Sequence, residues 1–314
     1  MRKALRVGVV GIGTMGRNHA RIYSELADVE LAGVADIDEK LAISVAQSHK
    51  CKAYTNYKEL LNERLDVVSI VVPTILHKEV AHDAIAMGMN VLVEKPIADT
   101  VENADEIIKA AQRQGIKLMV GHVERFNPAI TKLRELICSG QLGHIISISA
   151  KRVGPHNPRI RDVGIILDLG THDIDVMSYL IGQKVKEVYA SAGRATHSRE
   201  DYAIIMLNFD NGVSGVIETN WLTPHKVRNL TVVGSEGIAE VNYIEVTLRI
   251  YDKEWTKDAK VEKVEPLKLE LEHFVDCVQH DKEPSVLGQD GKHALEVAVL
   301  AEESSRTGKV YQIS

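Results

Sequence analysis

The sequence predicts two domains: an α/β domain with a doubly wound parallel sheet, then an α+β domain with a large, mainly antiparallel sheet. The chain has 314 residues, which suits two domains of ordinary size. In the first 121 residues, short apolar runs alternate with helical patterns, as in βαβ units. From Ile145 onward, strand patterns follow one another with few helices between them. We therefore predict domains at 1–121 and 122–314.

Alternating strand and helix patterns account for the whole first domain. The almost wholly apolar run 66–72 suits a strand that is covered on both faces of a parallel sheet. Asp38 and Thr100 each precede a helical pattern and suit N-caps, because their side chains can accept a backbone N–H. The predicted strands are 5–10, 29–36, 53–55, 66–72, 91–94 and 116–120, and the predicted helices are 15–26, 57–62, 77–87 and the two that follow Asp38 and Thr100.

The pattern changes after Gly121. Asn127-Pro128 suits an N-cap followed by proline in the first helical turn. Asp210-Asn211-Gly212 is a strong hairpin signal between two strand patterns. The predicted strands are 145–153, 184–195, 202–209, 213–221, 227–233 and 238–250, and the predicted helices are 165–180, 267–280, 290–305 and the one that follows Asn127.

Composition excludes several classes of protein. A net charge of −6 argues against a nucleic-acid-binding protein, which would normally present a basic face. We expect no membrane partner, because no apolar run approaches the roughly 18 to 20 residues that span a bilayer. The three cysteines are far apart and form no CxxC pattern, which indicates a reducing compartment and no zinc cluster. The sequence therefore predicts a cytoplasmic protein without a bound metal.

A glycine-rich loop follows the first predicted strand. In a G-x-G-x-x-G loop, the first glycine permits a tight turn, the second lets a pyrophosphate approach, and the third lets helix and strand pack closely. Asp36 ends the second strand, where a carboxylate accepts hydrogen bonds from the adenosine ribose and repels a 2′-phosphate. We therefore predict a Rossmann fold that binds NAD rather than NADP; the alternative is a glycine-rich turn with a solvated acid. The loop consists of Gly11, Ile12, Gly13, Thr14, Met15 and Gly16.

Three motifs, in this order, identify a family. They are GVVGIGTMGRNHA, VVPTILHKEVAHDAIAMGMNVLVEKP and DLGTHDIDV. The chain resembles the glucose–fructose oxidoreductase, inositol dehydrogenase and MocA family of NAD(P)-dependent sugar and cyclitol dehydrogenases, over essentially its full length. The resemblance implies that Lys95 points into the cleft beside the nicotinamide and that the Lys95–Pro96 bond is cis. An ammonium group there would stabilise the alkoxide that develops as hydride leaves. The alternative is a Glu94–Lys95 surface pair at the end of a strand.

The third motif lies on a predicted helix. Asp168 and His172 are four residues apart and share a helix face. The resemblance implies that both face the substrate, with Asp168 binding a hydroxyl group. Histidine exchanges protons near neutral pH, so His172 could take the hydroxyl proton. Asp175 would orient His172 or cap local structure. The alternatives are a partly buried helix histidine and solvated acids.

Further contacts are expected around the cofactor and the substrate. The resemblance places five residues near the nicotinamide end of the cofactor, although His77 could equally cap a helix. A proline- and glycine-rich loop at 151–164 carries a basic cluster that suits an anionic, phosphate-bearing substrate, or alternatively forms a solvated basic surface. Trp221 could stack on a sugar or a uracil, or pack in the core. The cofactor contacts are Pro73, Thr74, His77, Glu94 and His122, and the substrate contacts in the loop are Arg152, His156, Asn157 and Arg159, with Arg161 in the same cluster.

The expected activity is NAD-dependent oxidation of a secondary hydroxyl of a sugar. The basic loop favours the nucleotide-sugar branch of the family, with UDP-N-acetylglucosamine oxidised at C3 to the 3-keto sugar. A dehydrogenase of free cyclitols or sugars, such as myo-inositol, is the alternative. An NAD-binding regulator without turnover is less favoured, because such proteins typically lose the lysine or the helix histidine. The open face of the second sheet predicts a homodimer or homotetramer.

Overall fold

The computed structural model describes residues 4–156 and 163–313, which group into two compact units. One unit comprises Met1–His122 and Leu267–Lys292, and the other comprises Val123–Pro266 and His293–Ser314. The predicted domains, 1–121 and 122–314, did not include the return of Leu267–Lys292 to the first unit. That segment contains most of a helix and joins the first unit through contacts such as the bridge between Met119 and Leu287.

In the described part of the first unit, six parallel strands form a sheet in the order β3-β2-β1-β4-β5-β6. The order steps outward from β1 in both directions, which is the doubly wound arrangement that the sequence predicts. The strands are β1 (Leu5–Val10), β2 (Val29–Ala35), β3 (Lys52–Tyr54), β4 (Val67–Ile70), β5 (Asn90–Glu94) and β6 (Leu118–Gly121).

Helices of the first unit begin at the predicted caps. Asp38 accepts a hydrogen bond from the Leu41 N–H at 3.1 Å, and Thr100 accepts one from the Asn103 N–H at 3.1 Å. The helices are α1 (Thr14–Glu25), α2 (Glu39–His49), α3 (Tyr57–Leu61), α4 (His77–Ala86), α5 (Val101–Gln114) and, later in the chain, α8 (Pro266–His280).

Within the described residues of the second unit, nine strands form a mixed, mainly antiparallel sheet in the order β14-β13-β12-β11-β7-β10-β9-β8-β15. The predicted strand 238–250 is wrong as a single element, because the chain turns within it at Val246, where φ is +51°. The strands are β7 (Ile145–Pro155), β8 (Val185–Gly193), β9 (Tyr202–Phe209), β10 (Ser214–Asn220), β11 (Leu222–Gly234), β12 (Ile238–Asn242), β13 (Thr247–Tyr251), β14 (Thr256–Asp258) and β15 (Tyr311–Gln312).

Helices cover one face of this sheet. The second unit contains α6 (Pro128–Cys138), α7 (Thr171–Ile181) and most of α9 (Gly288–Thr307). Burial alternates along β9, so that one strand face packs in the core and the other is exposed. Ile166–Gly170 is π-helical and precedes α7, which corrects the prediction of one regular helix over 165–180.

Membrane-spanning helices and clustered metal ligands are both absent from residues 4–156 and 163–313. No helix in these ranges is long and apolar enough to cross a membrane. Nor do these ranges contain a group of three or more histidine, cysteine, aspartate or glutamate side chains arranged to hold a metal ion.

Candidate functional site

The glycine loop has the geometry that its motif requires. Gly11 has φ +89°, and a Cβ there would lie 2.6 Å from the Val71 carbonyl oxygen. A Cβ at Gly16 would lie 1.9 Å from the Gly11 carbonyl oxygen. A Cβ at Gly13 would meet no described atom within 4 Å. The first and third glycines are therefore required by packing, whereas the second leaves open space at the N-terminus of α1, where a pyrophosphate fits.

Asp36 joins this loop to the end of β2. Its Oδ2 accepts a hydrogen bond from the Ile12 N–H at 2.7 Å, and its Oδ1 accepts one from the Asp38 N–H at 2.9 Å. Each carboxylate oxygen keeps a second lone pair for a ribose hydroxyl. The neighbouring Ile37 side chain is 95% exposed and offers an apolar surface that the sequence prediction missed. The residues present therefore fit an adenosine ribose.

The peptide after β5 has the predicted form, because the Lys95–Pro96 bond is cis. Glu94 is buried beneath it, with Oε1 3.1 Å from the His19 Nε2 and Oε2 accepting the Lys95 N–H at 3.1 Å. Burial alone would raise the pKa of Glu94, but the hydrogen bond and charge of His19, together with the charge of Lys95, hold it below its usual value. Glu94 is thus an ionised anchor at the base of the turn rather than part of a surface pair.

His77 is the first residue of α4 and makes contacts that the sequence did not indicate. Its side chain is buried, with Nδ1 3.0 Å from the Pro96 carbonyl oxygen and Nε2 2.9 Å from the Val72 carbonyl oxygen. Burial lowers the pKa of His77, although both carbonyl groups oppose this. A neutral imidazole has one N–H and donates to one of the two carbonyls at a time. His77 therefore holds together the segments after β4 and β5, and both of its ring nitrogens face carbonyl oxygens of these segments.

The other predicted cofactor contacts lie at strand ends of the first unit. Pro73 is exposed and Thr74 half-buried at the start of a 3-10 turn, Thr74–Leu76. His122 is buried directly after β6. In a doubly wound sheet, ligands bind beyond the carboxyl ends of the strands, which is where all three residues stand.

Asp168 and His172 lie at the start of α7 in the second unit. Asp168 belongs to the π-helical turn Ile166–Gly170, and His172 to the first turn of α7. Single π-helical turns are often found at functional sites. Both side chains are half-buried, whereas Asp173 and Asp175 of the same helix are buried. The two residues that the motif assigns to a substrate are thus the ones that keep accessible surface.

Asp175 pairs with an arginine in a buried contact. Arg125 donates from Nε to the Asp175 Oδ2 at 2.8 Å and from Nη2 to Oδ1 at 2.6 Å. Both side chains are buried, so this bidentate pair fixes α7 to the turn that precedes α6. The predicted choice for Asp175, between orienting His172 and capping local structure, did not include this ion pair.

Arg152 is not available to a substrate, contrary to the prediction. It is buried on β7, where Nη1 donates to the Glu124 Oε1 at 2.7 Å and Nε to the Asp173 Oδ2 at 2.7 Å. A third bond joins its Nη2 to the Asp173 Oδ1 at 3.1 Å. Although burial opposes its charge, these two carboxylates hold the pKa of Arg152 well above its usual value. Arg152 is therefore the centre of a buried ion cluster.

The remaining loop predictions divide between described and undescribed residues. His156 is half-buried, and its ring centroid lies 4.7 Å from that of the buried Trp221 and 4.1 Å from that of His197. Trp221 thus packs against two imidazole rings, which favours the core alternative for this residue. Three predicted residues of the basic loop lie outside the described residues: Asn157, Arg159 and Arg161.

Comparison with known proteins gives two consecutive family matches. Residues 5–122 match the GFO_IDH_MocA model, an oxidoreductase family with an NAD-binding Rossmann fold. Residues 130–240 match the GFO/IDH/MocA C-terminal domain. The first match covers the six strands of the first sheet, and the second covers β7 to β11 of the second sheet.

Individual relatives align with nearly the whole chain. The chain is 31% identical over 305 residues to the UDP-N-acetylglucosamine 3-dehydrogenase of Acidithiobacillus ferrooxidans, which covers 94% of this chain and 95% of that enzyme. It is 28% identical to the myo-inositol 2-dehydrogenase of Thermotoga maritima, with 96% of each chain covered. A solved structure of the Acidithiobacillus enzyme superposes with a TM-score of 0.90 at 30% identity, covering 96% of this chain and 98% of that one.

Proposed function

The chain belongs to the GFO/IDH/MocA family of NAD-binding oxidoreductases, and on that premise we propose that it oxidises a secondary hydroxyl of a sugar to a ketone. The proposed substrate is UDP-N-acetylglucosamine, oxidised at C3. The observation that supports this choice of substrate is the similarity to UDP-N-acetylglucosamine 3-dehydrogenase over 94% of the chain. The likeness to a myo-inositol 2-dehydrogenase keeps a cyclitol as the second candidate.

In this proposal, residues of the first unit bind NAD and stabilise the negative charge that develops on the substrate oxygen. The loop Gly11–Gly16 cradles the pyrophosphate, and Asp36 accepts the ribose hydroxyls. When bound, NAD supplies the acceptor for the hydride at nicotinamide C4. Lys95 stabilises the alkoxide that forms as the hydride departs. Contacts to the nicotinamide end are proposed for Pro73, Thr74, Glu94 and His122.

Two residues of α7 and its preceding turn complete the proposed chemistry. His172 takes the proton of the reacting hydroxyl, because an imidazole can act as a base near neutral pH. Asp168 accepts a hydrogen bond from a substrate hydroxyl and so orients the sugar. His156 is proposed to contact the substrate through the accessible part of its ring.

The substrate test is the absorbance at 340 nm of the protein with NAD and a panel of sugars. The panel contains UDP-N-acetylglucosamine, UDP-glucose, N-acetylglucosamine and myo-inositol. We expect NADH with UDP-N-acetylglucosamine and little with N-acetylglucosamine. If NADH forms with myo-inositol alone, the cyclitol becomes the assigned substrate. NAD binding without NADH from any sugar would favour the regulator.

Replacement of Asp36 is expected to change the cofactor preference. Asp36→Ala removes the acceptor of the ribose hydroxyls and the repulsion of a 2′-phosphate, so NAD affinity should fall about 10- to 100-fold, with a smaller loss for NADP. Fluorescence titration with both dinucleotides measures this. Glu39→Ala is the matched control, because it removes a nearby exposed charge. An equal loss for both dinucleotides would remove Asp36 from ribose recognition.

We also propose that the exposed face of the second sheet binds a second copy of this chain. Apolar side chains on neighbouring strands of this face are between 37 and 53% exposed, namely Tyr189, Ile204, Met206 and Val216. Met206 lies opposite Tyr189 on β8 and Val216 on β10, so the side chains form a continuous patch.

Two opposite charges on this face neutralise each other. Lys151 and Glu218 lie opposite each other on β7 and β10 and pair at 3.0 Å. We expect sedimentation velocity to show a species of two or four times 34.7 kDa. Met206→Asp should shift the sedimenting species toward the single chain. Ile43→Asp should not, because Ile43 is an exposed residue of the first unit. A single 34.7 kDa species for the wild type would contradict the proposal.

A further inference from the structure

Two arginines lie directly opposite each other on neighbouring strands of the second sheet. Arg152 of β7 and Arg228 of β11 are register partners. Like charges at such positions repel, so each guanidinium needs carboxylate groups nearby. Glu124 and Asp173 supply two carboxylates to this pair.

The carboxylates are shared unequally. Arg152 takes both oxygens of Asp173, at 2.7 and 3.1 Å, and the Glu124 Oε1 at 2.7 Å. Within the described residues, the carboxylate that reaches Arg228 is the same Glu124 Oε1, at the longer distance of 3.5 Å from Nη1. Burial and the charge of Arg152 lower the pKa of Arg228, and the surrounding carboxylates do not offset this. Arg228 is thus a cation with too little negative charge around it.

Arg228 also keeps the surface that Arg152 lacks. Its side chain is 33% exposed, compared with 2% for Arg152. Asp168 is close enough to act on Arg228 electrostatically. Arg228 shares a strand face with Leu230 and Val232, which pack in the core, so its guanidinium lies on the helix-covered side of the sheet. An incompletely compensated cation thus stands within electrostatic range of Asp168, a residue that the family motif assigns to the substrate.

We propose that Arg228 binds a phosphate group of the substrate. The planar guanidinium matches two phosphate oxygens with two N–H donors, and an incoming anion would supply the charge that Arg228 lacks. This inference rests on the proposed function in one respect, that the substrate is phosphorylated. Arg228 thus has the phosphate-binding role that was predicted for Arg152.

Equilibrium binding without turnover tests this assignment. Isothermal titration with UDP and with inorganic pyrophosphate would compare the wild type with Arg228→Gln, Arg228→Lys and the control Arg113→Gln, an exposed arginine of α5. We expect Arg228→Gln to lose about 10- to 100-fold in affinity, Arg228→Lys to lose less, and the control to match the wild type. Equal affinities for all four proteins, or no binding by the wild type, would overturn the proposal.

Two further readouts separate binding from a structural role. Arg228→Gln removes one of two opposed cations, so its thermal midpoint should be unchanged or higher, and NAD affinity should be unchanged. With UDP-N-acetylglucosamine, KM should rise about 10- to 100-fold and kcat should change little. A lower midpoint with loss of NAD affinity would overturn the proposal. Pyrophosphate binding that depends on Arg228, without NADH from UDP-N-acetylglucosamine, would support this site while refuting the proposed substrate.

Discussion

Replacing Lys95 with methionine is expected to lower kcat about 1000-fold while leaving NAD affinity nearly unchanged. Methionine keeps most of the length of the side chain but removes the ammonium group that would stabilise the alkoxide. Losing one donor aimed at a developing oxyanion typically costs about 100- to 1000-fold, and losing a proton-transfer group costs a similar factor. The measurement is the steady-state rate at 340 nm with the best substrate of the panel.

A matched control distinguishes catalysis from structure at this position. Lys109→Met removes an exposed lysine from α5 and should leave kcat unchanged. NAD affinity of Lys95→Met, measured by fluorescence titration, should match the wild type. Parallel loss of NAD affinity and of rate would show that Lys95 maintains the turn instead of acting on the substrate.

The surroundings of Lys95 could be predicted only in part from the sequence. The strand end follows from the contiguous residues Glu94-Lys95-Pro96, and the cis bond was implied by the family resemblance that this motif carries. The contacts of His77 do not follow, because its two carbonyl partners belong to Val72 and Pro96, which come together only when β4 and β5 pair. Sequence spacing alone cannot show which histidine nitrogen meets which carbonyl.

The parallel sheet was easier to predict than the second sheet, for a physical reason. Strands of the first unit are short apolar runs separated by helices, so each has a clear start and end. The predicted strand 238–250 keeps an alternating pattern through its turn, and the left-handed residue there is Val246 rather than glycine or asparagine. The π-helical turn Ile166–Gly170 cannot be recognised from the sequence pattern, because its residues also suit an α-helix.

The number of charged residues in the basic loop does not show which of them are exposed. Arg152 was grouped with the polar and basic residues that follow it because all of them are close together in the chain. Its partners are Glu124 and Asp173, which lie 28 and 21 residues away in sequence and bury it. Arg228 was missed because it stands alone in a strand pattern, and its position opposite Arg152 depends on the pairing of β7 and β11.

Removing Arg152 should have the largest effect on stability. Arg152→Met would leave Glu124 and Asp173 buried with little positive charge, since Arg228 reaches Glu124 at 3.5 Å and is itself one-third exposed. Breaking one side of a buried ion pair typically costs about 3–5 kcal/mol. Urea denaturation followed by circular dichroism should show this loss in the free energy of unfolding. Arg249→Met, which breaks the exposed pair with Asp258, is the control and should cost no more than about 1 kcal/mol.

The dependence on pH identifies the cause of that loss. Burial already raises the pKa of Asp173 in the wild type, although Arg152 opposes this, and without Arg152 that pKa would rise further above the value of the unfolded chain. The folded protein would then bind more protons than the unfolded one, so the deficit relative to wild type should shrink as the pH falls from 8 toward about 5. Replacing the partners as well, in Arg152→Met/Asp173→Leu/Glu124→Gln, should recover much of the stability at pH 8. A deficit that stays constant with pH and persists in the triple variant would mean that lost packing of the Arg152 side chain, rather than uncompensated charge, destabilises the unit.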